Sequence, residues 1–574
     1  LITEEDFEKH LINMQRADHL VIDTEGSLTH PYSVTWGLST SSHSVAEYFP
    51  FRHQLGDNLP ADWLDPISRI IVKHPCVVFH NAKHDLRALE NLGIYRTGKF
   101  YDTMLMAHMN NENYFSKELD YLSKHFGGEP KRKSDVMDQL IKAFGWHAIP
   151  AELIREYGAN DAYITQELFY NLYPDFQEQG FDGELWDYEQ KFIRLMARIE
   201  NRGIPVDVDL SERELARGLQ IMDEIKRSLG FDPAKSTELS RFLLDEMKLP
   251  VLKRSKKTNK PSFDKEVMKA YDEMLQATND KRAREILIFR GWQKTTSSNY
   301  RRYLELLGPD GRLRANYKIH GTVTGRMSCE DPNLQQIPRE SENDWNGRLK
   351  RAFITDPEFA AFEADFSQLE FRIAAAYGKV QRLIDIFNDP RRDIFSEMAE
   401  DLGLSRHDTK TFNYTLQYGG GADRISAVFG LGRLAAKGRI RQYYEQYPGL
   451  AKATSLAKLR MEQNGFVRYW TGRRRHKGPY DDGHKAFNSV CQGGAFEIVK
   501  RRMIALDEAG LNNDECRMDL QVHDSIRFEI ERGKEKIYIP EIQNIMEDVN
   551  SDFNFGVQFK VDIHKWGTKE KWDE

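Results

Sequence analysis

Three short segments near the start of the sequence carry carboxylates at spacings that can bring them together. In VIDTE, Asp23 and Glu25 lie two apart on a strand pattern, so both side chains leave the same face. In HNAKHD, Asp85 follows Asn81 by one helical turn, and in YGANDA, Asp161 follows Tyr157 by the same interval. Four carboxylates and a phenol gathered at one spot repel unless cations sit among them. Hard oxygen donors of this kind suit magnesium or manganese. Two such ions can activate a water and stabilise the leaving oxygen of a phosphodiester. Any one pair alone is weak evidence, since a lone DxE on a strand edge is more often a solvated face.

A second constellation lies in the C-terminal half. In AAFEADFSQLEFRIAA an alternating strand runs into Asp365, and a helix follows from about Gln368. In MDLQVHDSIRFEI two alternating strands flank His523-Asp524-Ser525, which predicts a hairpin with Asp524 at its tip. Two carboxylates on strand ends can hold two metal ions, one for an attacking hydroxyl and one for a triphosphate. Between them, in SRHDTKTFNYTLQYGGG, Ser405 and Asp408 form a capping box and the glycines from Gly419 end the helix. Arg406, Lys410, Tyr414 and Tyr418 recur every four residues on one face. Cations followed by aromatics suit a nucleoside triphosphate. A salt-bridged helix with core tyrosines is the plainer alternative.

The elements that must position these groups fall into three blocks. Up to about residue 175, strands (HLVIDTE, SVTWGLS, PCVVFHN) alternate with helices (ISRIIVKH, HDLRALENLGI), an α/β pattern. From about 185 to 308 the pattern is mostly helical, interrupted by a Lys-rich loop; the last part mixes strands and long helices. With 574 residues the chain predicts three or four structural units.

Composition sets further bounds. Hydrophobic residues make up 40% and charged residues 30%, as in soluble globular proteins, and no apolar run spans a membrane. The four cysteines are far apart with no CxxC pair, which points to a reducing, intracellular setting and away from zinc. Leu1 to His10 is acidic and no signal peptide, and the chain does not begin with Met. The net charge of −7 argues against nucleic acid, but three basic clusters argue for it. They are Lys253, Arg254, Lys256, Lys257 and Lys260; Arg433, Lys437, Arg439 and Arg441; and Arg473, Arg474, Arg475 and Lys477. Together they predict a phosphate-tracking surface.

The ordered set DxE, NxxxD and YxxxD resembles the DEDDy 3′–5′ exonucleases that proofread for family A DNA polymerases, supported by YDTMLMAHMN and ELDYLSKHFG. DFSQLEFR, RHDTKTFNYTLQYG and QVHDS resemble motifs A, B and C of those polymerases, in order. GTVTGRMSCEDPNLQQIP, YYEQYPG, HKAFNSVCQG and the tail GTKEKWDE extend the resemblance over essentially the whole chain.

The resemblance implies an α/β, ribonuclease H-like exonuclease domain at 1–180 and a right-hand polymerase domain at 181–574. In the latter it implies a helical thumb at about 190–308, an antiparallel-sheet palm at about 309–380 and 485–574, and helical fingers at about 381–484. It implies a template-directed DNA polymerase of DNA replication with a proofreading nuclease, using two magnesium ions per site, for which manganese can substitute. Asp23, Glu25, Asp85 and Asp161 then bind the nuclease metals, and Tyr157 orients the water. Asp365 and Asp524 bind the polymerase metals. Arg406 and Lys410 hold the triphosphate, Lys410 protonates the pyrophosphate, Tyr418 closes the insertion site, and Glu370 excludes the ribose 2′-OH. Tyr414 at its position is associated in the family with acceptance of nucleotides lacking a 3′-OH. Arg326, Asn333, Gln335, Asn488 and Gln492 match contacts to the primer–template minor groove, and His523 matches a contact to the primer end. The Lys-rich segment falls at the thumb tip.

Three residues depart from the bacterial repair enzymes: Ser525 replaces an acidic residue, His484 an Arg and Tyr414 a Phe. With the missing 5′ nuclease domain, they lean towards a bacteriophage or organellar replicase. The implied partners are primer–template DNA, dNTPs and a replicative helicase or other replisome proteins. No room exists between Gly203 and Arg290 for a thioredoxin-capturing insertion, so no thioredoxin requirement is expected. A soluble, intracellular monomer is expected, in the host cytoplasm if viral. Two rivals predict different assays: a nuclease with a non-catalytic DNA-binding half, and a single-subunit RNA polymerase.

Overall fold

A computed structural model describes residues 2–27, 34–42, 45–132, 135–144, 149–255, 258–338, 348–479 and 483–567. The N-terminal unit is built on a five-stranded sheet. Its strands are β1 (Leu20–Ser27), β2 (Val34–Ser42), β3 (Val45–Pro50), β4 (Val77–Phe79) and β5 (Phe100–Asp102), in the order β3-β2-β1-β4-β5. β1 pairs antiparallel with β2 and parallel with β4, and β4 pairs parallel with β5. The sequence pattern marks β1, β2 and β4; β3 and β5 are additions. β1 is central because Leu20, Val21 and Ile22 are apolar on both faces and fully buried.

The helix Ala151–Glu178 covers one face of this sheet. It approaches closely at Gly158, where an added Cβ would lie 2.7 Å from Ser39 Oγ. That approach sets Tyr157 and Asp161 over the end of β1. The helix Ala82–Asn91 starts after Asn81, which adopts φ 71°, and carries Asp85.

The C-terminal unit holds a four-stranded antiparallel sheet of β6 (Phe359–Phe366), β7 (Cys516–Val522), β8 (Ser525–Glu531) and β9 (Val561–Lys565), ordered β7-β8-β6-β9. This is the expected palm. The helix Ala486–Glu508 is buried along most of its length among the helices Leu369–Gly378, Pro448–Asn464, Glu184–Arg202 and Glu535–Glu547. Residues from Ile225 to Phe289 form a small apolar core of their own, matching a separate helical thumb. The helix Glu184–Arg202 is different. Its Trp186, Phe192 and Ile193 join the main core, which runs continuously from Phe7 to Ile563. Its buried Glu200 pairs with Lys83 and with Arg87 (3.0 Å) and accepts from Tyr317 N at 2.6 Å. The helix bearing Asp85 is thereby tied to the C-terminal unit.

In the third basic cluster, expected to track phosphates, two arginines are buried in ion pairs. Arg473 is 2% exposed and bonds Glu189 at 2.8 Å; Arg475 is 7% exposed and bonds Glu112 at 2.6 Å. Lys500 also meets Glu189 at 2.6 Å, and His476 meets Glu112 at 2.8 Å. A buried guanidinium must be paired; the Glu112 pairs join the two units and the Glu189 pairs lie inside the second, so neither arginine faces DNA. The second cluster lies on the exposed helix Arg433–Gln446, with Arg433 paired to Asp423. In the first, Lys253 pairs with Asp264 at 2.7 Å, while Lys256 and Lys257 lie outside the described residues. Residues 568–574 of the tail motif also lie outside them.

Candidate active sites

In the N-terminal unit, strand alternation places Asp23 and Glu25 on one face of β1, and the helix Ala151–Glu178 brings Asp161 to meet them. Oxygens of Asp23, Glu25 and Asp161 all lie within 4.8 Å of one another. Asp85 stands apart from this triplet. It is 1% exposed and accepts from Thr24 N at 3.0 Å and Thr24 Oγ1 at 2.7 Å, which fixes the strand between the two carboxylates. Tyr157 is one turn from Asp161 and 7% exposed.

Lys131 went unnoticed in the sequence. Its Nζ lies 2.5 Å from Asp161 Oδ2 and donates to Tyr157 OH at 2.9 Å. Burial raises Asp23 well above the usual carboxylate range, and Glu25, Asp85 and Asp161 push it further. Burial also raises Asp161, with Lys131 pulling against it. Burial would lower Lys131, but Asp161, Asp23 and Glu25 outweigh it and raise it. Asp161 Oδ1 is buried without a hydrogen-bond partner. Hard oxygens held this close, one of them orphaned, fit a divalent cation.

In the C-terminal unit, β6 and β8 pair so that Asp365 faces Ser525, and Phe366 N bonds Asp524 O at 3.3 Å. The turn between β7 and β8 is His523-Asp524, with His523 at φ 56°. Both carboxylates therefore sit at strand ends beside the same cleft. Arg326, Glu370, Lys410, Tyr414, Tyr418 and His523 line it with them. The helix Arg406–Gln417 carries three of these groups or leads into them. Ser405 caps it, accepting from Asp408 N at 3.0 Å, and Gly419 ends it with φ 77°. Tyr414 and Tyr418 stack with ring centroids 6.1 Å apart. Glu370 is 9% exposed and ion-paired with Arg326; burial, then Glu370, raises the Tyr418 phenol.

Other expected residues sit around this cleft. Arg406 forms a two-pronged pair with Asp393, at 2.9 and 2.8 Å, and does not line the cleft. Gln335 donates to Gln521 at 2.7 Å, and Gln521 donates to His523 O at 2.5 Å, linking Gln335 to the hairpin. Asn333 and Asn488 each bury an unpartnered Oδ1. Asn488 lines an adjoining pocket with His484 and Gly419, and Gln492 follows one turn later on the same helix. Ser525 is held against Glu363 (3.1 Å) and offers no carboxylate.

Three ionisable residues that line the cleft were given no role from the sequence: Asp562, His407 and Arg424. Asp562 faces Asp365 across β9 and accepts from Ser367 Oγ at 2.5 Å. Its one signal is the alternation in VDIH.

Comparison with known proteins agrees with this division. Residues 210–574 match the model of DNA polymerase family A, and residues 1–177 match that of 3′–5′ exonuclease. DNA polymerase I of Pseudomonas aeruginosa is 28% identical over 564 residues, covering 91% of this chain and 61% of the relative. The thermostable DNA polymerase I of Thermus aquaticus is 28% identical over 465 residues, covering 74% and 53%. The chain thus spans about half to three fifths of the length of these curated relatives. Among solved structures, the polymerase domain of Pol1 from M. smegmatis, in complex with DNA primer–template and dNTP, superposes with a TM-score of 0.82. It shares 20% identity, covering 99% of this chain and 98% of that one, a likeness of fold.

Proposed function

Because the chain belongs to DNA polymerase family A and has a 3′–5′ exonuclease domain ahead of its polymerase domain, we propose that it extends primers on a DNA template with dNTPs and proofreads what it adds. The observation that carries this reading is the single cleft in which Asp365 and Asp524 face Lys410, Tyr414 and Tyr418. Two strand-end carboxylates opposite a cationic, aromatic helix face suit a triphosphate brought to a primer end.

The residues then divide the work. Asp365 and Asp524 are the ligands for two magnesium ions, which manganese can replace. Such ions supply a more acidic primer 3′-hydroxyl and charge stabilisation on the departing pyrophosphate. Lys410 donates to the triphosphate and gives its Nζ proton to the pyrophosphate. Arg406 joins it by exchanging Asp393 for phosphate oxygens. Tyr418 packs on the nascent pair, and Glu370, held by Arg326, fills the space a ribose 2′-OH would need. Arg326, Asn333, Gln335, Asn488 and Gln492 read the minor groove. Its acceptors occupy the same places in every base pair, so donors there test pair shape rather than sequence. His523 meets the primer end.

At the nuclease site Asp23, Glu25 and Asp161 are the metal ligands. Asp85 joins them by releasing Thr24, and Tyr157 orients the attacking water. The thumb, built on the separate core from Ile225 to Phe289, grips duplex phosphates through its Lys-rich tip. The phage-type replicative reading rests on Tyr414, His484 and Ser525; the relatives described above are bacterial. Replisome partners and a monomeric state belong to the same proposal.

Primer extension with dNTPs or rNTPs in magnesium tests the reading. Extension with dNTPs alone is expected. Degradation without extension would mean a standalone nuclease, and preference for rNTPs would mean an RNA polymerase.

A further inference from the structure

The short helix Thr103–Asn110 of the exonuclease domain meets the polymerase domain at His108, which is 3% exposed. Arg473, anchored on Glu189, approaches His108 Nδ1 at 3.0 Å. A guanidinium can only donate, so Nδ1 accepts and the ring proton sits on Nε2. That Nε2–H donates to Thr322 O at 2.9 Å. The tautomer is therefore set by one domain boundary contact and used in another.

Thr322 opens the loop that ends at Arg326. Thr322 Oγ1 donates to Arg326 O at 2.8 Å, and Gly325 N donates to Thr322 O at 3.1 Å. Tyr469 OH donates to Thr324 O at 3.0 Å. Gly325 has φ 79° and lies so close to Arg473 that an added Cβ would stand 3.1 Å from its Nε. The loop delivers Arg326 to Glu370. A continuous set of hydrogen bonds thus runs from the exonuclease domain to the carboxylate read above as the sugar gate.

We propose that His108 is a positioning residue for nucleotide selection: by holding Thr322, it places Arg326 and so fixes Glu370. This rests on the reading of Glu370 as the gate. It gives the exonuclease domain a part in choosing which nucleotide is inserted, separate from removing the wrong one.

The test compares His108→Gln with His108→Asn, both in an Asp23→Ala/Glu25→Ala background. The Gln amide nitrogen reaches as far as Nε2; the Asn amide nitrogen falls one methylene short. The readout is the kcat/KM ratio for CTP against dCTP, with Glu370→Ala as reference and thermal melting alongside. The Asn variant is expected to accept CTP about three- to tenfold more readily, the scale of one neutral hydrogen bond. The Gln variant is expected to keep the native ratio. Gly325→Ala, which presses the same loop against Arg473, should relax the ratio too and serves if the Asn variant does not fold. A merely structural role would move melting temperature and overall rate and leave the ratio alone. Equal ratios in all the variants except Glu370→Ala overturn the proposal. An unchanged ratio in Glu370→Ala overturns the gate reading, and the coupling with it.

Discussion

Lys131 Nζ and Asp161 Oδ2 stand 2.5 Å apart inside the nuclease carboxylate cluster. The ammonium occupies the place where positive charge is most needed, and it holds the Tyr157 hydroxyl as well. A divalent cation binding to Asp161 has to displace it. Lys131→Met should therefore tighten manganese binding about tenfold, or ~1.4 kcal/mol, the scale of a charge-assisted hydrogen bond. Calorimetric titration of the protein with manganese measures it, with Asp365→Asn/Asp524→Asn in the background to silence the other site. Weaker binding in Lys131→Met would mean that the lysine supports the metal instead of competing with it.

Tyr414 follows Lys410 by one turn and lines the same cleft. A normal dNTP can use its own 3′-OH to bond a phosphate oxygen; a dideoxynucleotide cannot, and the Tyr414 phenol can fill that gap. The nuclease-silenced enzyme should use ddNTPs nearly as well as dNTPs. Tyr414→Phe should discriminate by tens to hundreds of fold, on the order of 2–4 kcal/mol. Single-nucleotide incorporation kinetics on both proteins decide it; equal ratios would leave Tyr414 as a packing residue.

His320 sits 6.5 Å from His108, ring to ring, at the junction of the two domains. Burial, then Lys318, Lys117 and Lys83, push it down to about 4; burial also pushes His80 down to about 3. Between about 4 and the unfolded value of about 6.5, the unfolded chain takes up a proton that folded His320 refuses. This contribution to stability is complete above about pH 6.5 and is lost as pH falls towards 4. Thermal melts should therefore drop between about pH 7 and pH 4.5, and His320→Gln should flatten that slope. An identical slope in the variant would show that His320 titrates alike in both states.

Local features of the fold were legible in the sequence because their causes are local. The Ser405 cap, the Gly419 stop and the His523-Asp524 turn each depend on a few adjacent residues. Asp23 and Glu25 share a face through strand alternation alone. What could not be read depends on partners far away in the chain. Arg473 and Arg475 look like a phosphate surface until Glu189 and Glu112 fold against them. Lys131 enters the nuclease site, and Asp85 turns to Thr24, for reasons of packing that no spacing reveals. Asp562 reaches the cleft because β9 happens to pair beside Asp365.

A primer assay separates the two metal-dependent sites of this chain. It uses matched and mismatched 3′ ends, with and without dNTPs, on three proteins. The native protein should shorten the mismatched primer and then extend it. Asp23→Ala/Glu25→Ala should lose 3′ degradation and keep extension of the matched primer. Asp524→Ala should keep degradation and lose extension by roughly a thousandfold or more, since a misplaced metal forfeits several kcal/mol of transition-state stabilisation. Joint loss of both activities in either variant, or near-normal extension by Asp524→Ala, would contradict that division.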